Sequence, residues 1–451
     1  MTKYVILGAV AAGSKAAMKI KRLDPKSEVV IYTKDTHVSY SACGFPYFIA
    51  SYFNDENLLY ARSVDDFSNS GIEVHLLSNC EKILPKDKIV IISDLLTGNI
   101  SEIKFDKLLI ATGADAILPK NISGLNLDNV FKLRNVEDAI LIKNKIETSN
   151  SATIIGGGYI GIELAEAFVL KGLKVNLVEA NSTILSMFDD DISNIVRTFI
   201  ESNYADKISI FTNEKVVSIT SDNGLNIKTE SGLIFNSDFV VVCVGIFPNV
   251  EFAKQSGIEL GVSGAIKVNS NMQTNFEDIY AAGDCAEKFH IVSNTHCWIP
   301  LGSTASKEGR IAAINMCGGN EKFDGVLGST VTKFFDYTIS MTGLTEKSAK
   351  NFGFFPVFSM VKKKDKVSYM LEAKDIILKL VADKDSRKLL GVQVVGLGDA
   401  DKRTNSLVSA LVCGSKVDDF VSNDLTYSPA FSPSIDALLD AAVILQGKLN
   451  N

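Results

Sequence analysis

Cys43 stands in the run Val38-Ser39-Tyr40-Ser41-Ala42-Cys43-Gly44-Phe45-Pro46-Tyr47, with no second cysteine nearby in the sequence. Redox work at a thiol needs a counterpart: a disulfide to attack, a sulfenic acid to carry, or a second thiol to pair with. A redox Cys43 without a resolving neighbour must therefore work with a small-molecule thiol, a sulfenic acid or another subunit. The other cysteines, at 80, 243, 285, 297, 317 and 413, form no CxxC or zinc spacing, and only four histidines are present. No structural metal site is expected. Most of these cysteines lie in apolar segments and read as structural; Cys285, beside Asp284, is the exception to watch.

Two glycine loops offer a second kind of chemistry. Gly156-Gly157-Gly158-Tyr159-Ile160-Gly161 follows the apolar run Ala152-Thr153-Ile154-Ile155 and precedes a helical stretch. Such a turn brings backbone N–H groups up to a pyrophosphate and adds the positive end of a helix. Gly156, Gly158 and Gly161 complete the pattern, and Tyr159, Ile160 and Gly245 are expected at the same nucleotide. Glu179 follows Gly161 by 18 residues, close to the spacing of a ribose acid. Its carboxylate accepts from a 2′-OH and repels a 2′-phosphate, so NADH is expected over NADPH. The first loop, Gly8-Ala9-Val10-Ala11-Ala12-Gly13, has Val10 at the middle position. It is followed by Thr33-Lys34 instead of an acid.

The elements that must carry these residues are legible on both sides. Tyr4-Val5-Ile6-Leu7, the first loop, a helix over 14–23 ended by Asp24-Pro25, and Glu28-Val29-Val30-Ile31-Tyr32 form one βαβ unit. Residues 151–179 repeat it. Leu108 to Gly113 and Phe239 to Gly245 are apolar strands ending in small-residue turns, and 277–285 holds a further short strand. Past residue 326 the pattern changes. Segments 331–344, 376–382 and 389–395 read as an antiparallel sheet, followed by helices at 400–414, 416–422 and 432–447. The run Lys362-Lys363-Lys364-Asp365-Lys366 reads as a solvated hairpin tip.

The 451 residues, 46% hydrophobic and 22% charged, suit a globular chain of several domains. The formal net charge of −7 and the lack of a basic stripe make nucleic acid and anionic membrane unexpected partners. No secretory signal or membrane-spanning run is visible. A cytoplasmic location is expected.

Together, the two nucleotide folds, Ala111-Thr112-Gly113-Ala114 and Ile279-Tyr280-Ala281-Ala282-Gly283-Asp284 resemble the pyridine nucleotide-disulfide oxidoreductase superfamily. The resemblance implies an α/β chain with two Rossmann-like dinucleotide-binding domains and a C-terminal α+β dimerisation domain. FAD would occupy 1–118 and 247–325, NAD(P)H 119–246, and the interface domain 326–451. Gly8, Val10, Ala11, Ala12, Gly13, Thr33, Lys34, Ser41, Thr112, Gly113 and Asp284 would meet FAD. Relatives with an internal dithiol carry a second cysteine five residues on, where this chain has Phe48. The segment from Ser39 through Cys43 to Pro46-Tyr47 is similar to the single-cysteine branch of coenzyme A-disulfide reductases, NADH oxidases and peroxidases, and persulfide reductases. Lys333-Phe334-Phe335-Asp336-Tyr337-Thr338 and Asp401-Lys402-Arg403 look most like coenzyme A-disulfide reductase. The oxidases usually carry a loop histidine where Ala11 stands here. Glu179 departs the other way, because the coenzyme A-disulfide reductases often prefer NADPH.

What the resemblance implies is a homodimer reducing coenzyme A disulfide, or a related small disulfide, through a mixed disulfide on Cys43. Tyr427 would reach across the dimer as proton donor, with Tyr369 as a second candidate. Ser39, Arg22, Arg62, Lys402 and Arg403 would meet the substrate. The rival readings are an NADH oxidase reducing O2 through a Cys43 sulfenic acid, a coenzyme A persulfide or polysulfide reductase, and a flavoprotein redox sensor or electron-transfer partner.

Overall fold

The computed structural model describes residues 1–450. Two parallel five-stranded sheets and one antiparallel five-stranded sheet organise them, with smaller two- and three-stranded sheets beside them. In the first sheet the strands run 279–281, 107–110, 3–7, 28–32 and 72–75 in spatial order, all parallel. Val5, Ile6, Val30, Ile31, Leu108 and Leu109 are buried on both faces, as parallel strands covered by helices require. The helix Ala11–Leu23 packs on the helix Gly302–Met316 at very short range. A Cβ on Gly309 would lie 2.3 Å from the Ala12 carbonyl oxygen, so glycine and alanine set this approach.

The second sheet has the order 208–211, 174–178, 151–155, 239–242 and 130–132, again all parallel. A two-stranded link pairs Ala114–Ala116 with Ile246–Pro248, where the chain crosses between the first and second units in both directions. The third sheet is antiparallel: 330–334, 337–343, 389–396, 375–383 and 356–364. The helices Ala400–Val412 and Ala437–Leu449 lie against it. No described helix is long and apolar enough to cross a membrane.

Several boundaries differ from the sequence expectation. The last helix starts at Ala437, because Asp436 caps it by accepting from the Leu438 N–H at 3.0 Å. The helix expected at 416–422 is only Val417–Phe420. The Lys362–Lys364 part of the charged run lies on the last paired residues of a hairpin arm and not in its connection. It ends the edge strand Pro356–Lys364, where Lys364 pairs with Asp375 at 2.9 Å and Lys363 with Asp440. Lysines there discourage strand-to-strand association along an open edge.

The second and third units are joined by a charge cluster centred on one buried lysine. The Lys379 ammonium, 2% exposed, lies 2.7 Å from Asp191, 3.0 Å from Glu346 and 3.1 Å from Asp189. Burial pulls this lysine's pKa down, and the three carboxylates overcome it and raise it. Asp189 also accepts from the Gln393 side chain at 2.6 Å and from the Glu346 and Lys347 N–H groups at 3.0 Å.

Candidate active site

The two glycine loops share one construction. Gly8 and Gly156 adopt φ of +105° and +110°, a region that side-chain-bearing residues avoid. Their N–H groups donate across to the next strand, to the Tyr32 carbonyl at 2.7 Å and the Val178 carbonyl at 2.8 Å. A Cβ on Gly8 would strike the Ala111 oxygen at 2.2 Å, and one on Gly156 the Cys243 oxygen at 2.4 Å. Gly13 and Gly161 close the motifs from behind, since a Cβ there would lie 1.9 and 2.0 Å from the oxygens of Gly8 and Gly156. These last two glycines therefore serve helix-on-strand packing, and neither lines the cavity.

Gly158 is different. A Cβ there would meet nothing within 4 Å, and its φ of −78° suits any residue. The protein itself makes no demand for glycine at this position, and the lack of a side chain leaves the helix N-terminus open to close approach of a pyrophosphate. The residues thus fit a bound dinucleotide. In the first loop Val10 holds the same place, and Gly8, Thr112, Gly113 and Asp284 line the cavity around it.

Both loops open into a single cavity of about 2520 Å³. That far exceeds the ~300–1,000 Å³ of a usual small-molecule site and suits two dinucleotides. Val10, Ala11, Ala12, Thr33, Lys34, Ser39, Ser41 and Arg62 line the side of the first loop. Gly156, Gly158, Tyr159, Ile160, Glu179 and Gly245 line that of the second. Glu179 is buried; one carboxylate oxygen accepts from the Gly157 N–H at 2.6 Å and the other from Asn181 at 2.7 Å. Its acid therefore faces the second loop, held in one orientation. Thr33 is buried and Lys34 pairs with Asp115 at 2.6 Å, so the first loop has no counterpart of Glu179 at the end of its second strand.

Cys43 stands where the two sides meet. Ala42–Gly44 form a single tight turn that runs into the helix Phe45–Ile49, with Pro46 in its first turn. Ser39, at φ +52°, donates its N–H to the Ala9 carbonyl at 2.7 Å and accepts from the Ala61 N–H at 2.9 Å. This stitches the cysteine segment onto the first glycine loop. Tyr40 stacks on Phe45 at 5.8 Å and donates to Asp35 at 3.2 Å. Cys43 is open to the cavity yet surrounded by protein. Burial raises its thiol pKa, the carboxylates of Glu163 and Asp284 raise it further, and Arg134 opposes them.

Glu163 and Arg134 are functional candidates that the sequence reading missed. Glu163 lines the cavity, accepts from the Thr332 hydroxyl at 2.8 Å, and is raised in pKa by burial. Arg134 lies 3.5 Å from Asp284, and its Nη2 would be 3.3 Å from a Cβ on Gly113. It braces both turns expected at the first nucleotide. The signal for Glu163 was its place on the glycine-loop helix, one turn past Tyr159; Arg134 carried no local signal. No histidine lines the cavity among the described residues. His37 instead pairs with Glu137 at 3.0 Å and stacks on Tyr60.

The remaining candidates are not all brought together. Arg403 is 1% exposed and fully engaged, with Asp436 at 2.8 Å and the Asp365 carbonyl at 2.7 Å. It is a structural arginine, which corrects its reading as a substrate contact. Lys402 donates to the Phe431 carbonyl at 3.1 Å and does not line the cavity. Arg22 is exposed at the end of its helix, away from the cavity lining. Tyr369 and Tyr427 are exposed by 69% and 55% and do not reach the cavity within one chain. Cys285 is buried beneath the Asp284 turn, its thiol 3.4 Å from the Ile110 and Ala282 carbonyls.

A sequence profile described as pyridine nucleotide-disulphide oxidoreductase matches residues 2–309, and one for the dimerisation domain of that group matches 329–438. A protein named NAD(P)H sulfur oxidoreductase (CoA-dependent), from Pyrococcus furiosus, is 35% identical over 450 residues, 98% of this chain and 99% of its own. The coenzyme A disulfide reductase of Staphylococcus epidermidis is 31% identical over 442 residues, 97% of this chain and 98% of its own. Among solved structures, the water-forming NADH oxidase from Lactobacillus brevis bound to NADH superposes with a TM-score of 0.95 at 27% identity. That match covers 100% of this chain and 99% of the oxidase.

Proposed function

Because the chain belongs to the pyridine nucleotide-disulphide oxidoreductase family, we propose that it uses NADH and FAD to reduce coenzyme A disulfide, or a related small disulfide, through Cys43. The observation that carries this reading is an exposed Cys43 in one cavity with both glycine loops and no second exposed cysteine lining it. Cys80 and Cys243 also line the cavity, but burial pushes each thiol up to about 12. In this reading residues 1–118 and 247–325 hold FAD, 119–246 hold NADH, and 326–451 form the dimer interface.

Gly8, Val10, Thr112, Gly113, Arg134 and Asp284 would hold the flavin nucleotide, and Gly156, Gly158 and Glu179 the NADH. Glu179 offers no cation to a 2′-phosphate, which supports NADH over NADPH. Bound there, the flavin supplies hydride acceptance from the nicotinamide and delivery of an electron pair to sulfur. The Cys43 thiolate attacks one sulfur of the disulfide, forms a mixed disulfide and releases the other half as a thiolate, which takes up a proton. The one electron pair taken from NADH then opens the mixed disulfide, releasing the second thiolate and freeing Cys43. One NADH and one proton thus convert one disulfide into two thiols. Arg134 favours the thiolate, and Glu163 and Asp284 oppose it.

Tyr427 is the proposed proton donor to the departing thiolate, supplied by the second copy of a homodimer. Its exposed, non-helical segment also carries Phe431 and Ile435, 65% and 54% exposed, which supports an apolar face for that copy. Arg62 and Ser39, both on the cavity wall, are proposed to meet the coenzyme A moiety. The identity to the CoA-dependent sulfur oxidoreductase favours a second reading with the same thiol, in which a coenzyme A persulfide is the acceptor.

Intact-protein mass spectrometry during an anaerobic NADH titration tests the proposal. A coenzyme A adduct on Cys43 that NADH removes is expected. A sulfenic acid with no adduct, and NADH consumption in air without any disulfide, would replace it with the oxidase reading. Full activity in Cys43→Ser would sink all readings built on this thiol.

A further inference from the structure

The helix that follows Cys43 ends in a turn closed by the Ser51 and Tyr52 N–H groups, which donate to the Phe48 and Tyr47 carbonyls at 3.1 and 3.0 Å, and held from outside by other units. After Ile49 the chain reverses through Ser51, which sits at φ +62° without being glycine. Three lysines from the other two units converge on this turn. Lys143, on the helix Val136–Ile146, donates to the Phe48 carbonyl at 2.9 Å and to the Asn54 side chain at 3.1 Å. Its ammonium lies 3.8 Å above the Phe48 ring. It has no carboxylate within ion-pair distance among the described residues, so the turn's carbonyls and ring hold its charge. Lys171, at the end of the second glycine-loop helix, donates to the Ser51 hydroxyl at 3.1 Å and pairs with Glu147 at 3.2 Å. Lys333, on the antiparallel sheet, pairs with buried Glu166 at 2.7 Å, contacts the Tyr52 hydroxyl at 3.4 Å, and faces the rings of Tyr47 and Tyr52.

Cations are favourable at a helix C-terminus, where carbonyls lack partners. Here the cations belong to other units, so the seat of the helix depends on how those units dock. We propose that Lys143, Lys171 and Lys333 are positioning residues for Cys43, fixing the thiol relative to the second nucleotide site through the turn at 48–54. The inference rests on the reading of Cys43 as the redox thiol. None of the three touches the proposed substrate or cofactor contacts. Their action is mechanical, carried by the short helix Phe45–Ile49.

The test uses FAD-loaded Lys143→Met, Lys171→Met and Lys333→Met, which keep the apolar stems, with Lys143→Arg as the conservative variant. Flavin bleaching by NADH without disulfide, kcat with coenzyme A disulfide, and the rate of Cys43 alkylation by iodoacetamide are followed. Lys143→Met and Lys333→Met are expected to bleach within about twofold of the parent, yet to lose on the order of tenfold in kcat. Their alkylation rates should change several-fold, and Lys143→Arg should restore both. Parent-like kcat and alkylation in all three Met variants overturns the inference, as does an equal loss in bleaching, which would mark a general packing defect. If one variant does not fold, the other two decide. Alkylation reports the seat of the thiol whether or not it turns over. A fully active Cys43→Ser would therefore remove the redox reading while leaving this measurement to judge the clamp.

Discussion

A single thiol is governed here by charges that approach it from three elements. Glu163 and Asp284 hold the proton on Cys43 and Arg134 draws it off, on top of the upward push of burial. Glu163→Gln removes one opposing carboxylate. The alkylation midpoint of Cys43 should then move to lower pH, and its rate near neutrality should rise roughly threefold to tenfold. Arg134→Met should move the midpoint the other way. Mass-spectrometric alkylation across pH measures both, and unchanged midpoints would remove these residues from the account. Cys43, Glu179 and the glycines were legible because their chemistry is written in local spacing. Arg134 was not, because it meets Asp284 only through the docking of distant strands. Arg403 was misread for a related reason: a charge seen in sequence does not reveal that Asp436 lies waiting to bury it.

At the level of elements, the two glycine loops separate two uses of one residue type. Gly156→Ala places a Cβ against backbone at φ +110° and should cost about 2 kcal/mol or more of stability. Gly158→Ala should leave stability within about 0.5 kcal/mol and instead raise the KM for NADH on the order of tenfold. Denaturant titration and steady-state kinetics separate the two, and a stable Gly158→Ala with unchanged KM would contradict the pyrophosphate seat. The Gly283–Asp284 turn rests on a buried pair. Glu308 accepts from the Gly283 N–H at 2.8 Å, and Lys288 donates to the Gly283 carbonyl at 2.9 Å. Burial raises the Glu308 carboxyl from its ordinary 4.5 to about 7. The folded state therefore keeps that proton longer than the unfolded chain does. The stability tied to it is full below 4.5 and is lost as pH rises through about 7. Glu308→Gln should flatten this slope, read from denaturation midpoints over that range. The strands and most helices were legible from apolar runs. The last helix began late because Asp436, and not the upstream serines and prolines, supplies its cap.

On the scale of the whole molecule, the proposed site is completed by a second copy. Dimers of Cys43→Ser alone, or of Tyr427→Phe alone, should both reduce coenzyme A disulfide poorly. A mixed dimer of the two variants contains one Cys43 facing an intact Tyr427. It should regain up to about half of the parent turnover per dimer, because one of its two sites is whole. Purified heterodimers carrying two different tags measure this, and no recovery would return Tyr427 to a packing role. The three-unit architecture was readable from the repeated βαβ pattern and the change of pattern past residue 326. The contacts between units were not, since they join residues such as Asp189 and Lys379 that lie far apart in sequence. That cluster around buried Lys379 also bears on ionic strength. Mobile ions screen exposed pairs such as Lys267–Glu259, but they do not reach an ammonium that is 2% exposed among three carboxylates. The docking of the second unit on the third should persist from dilute to concentrated electrolyte. A fall in turnover with added salt would then report the charge of the incoming substrate and its cationic contacts, not a loosening of the enzyme.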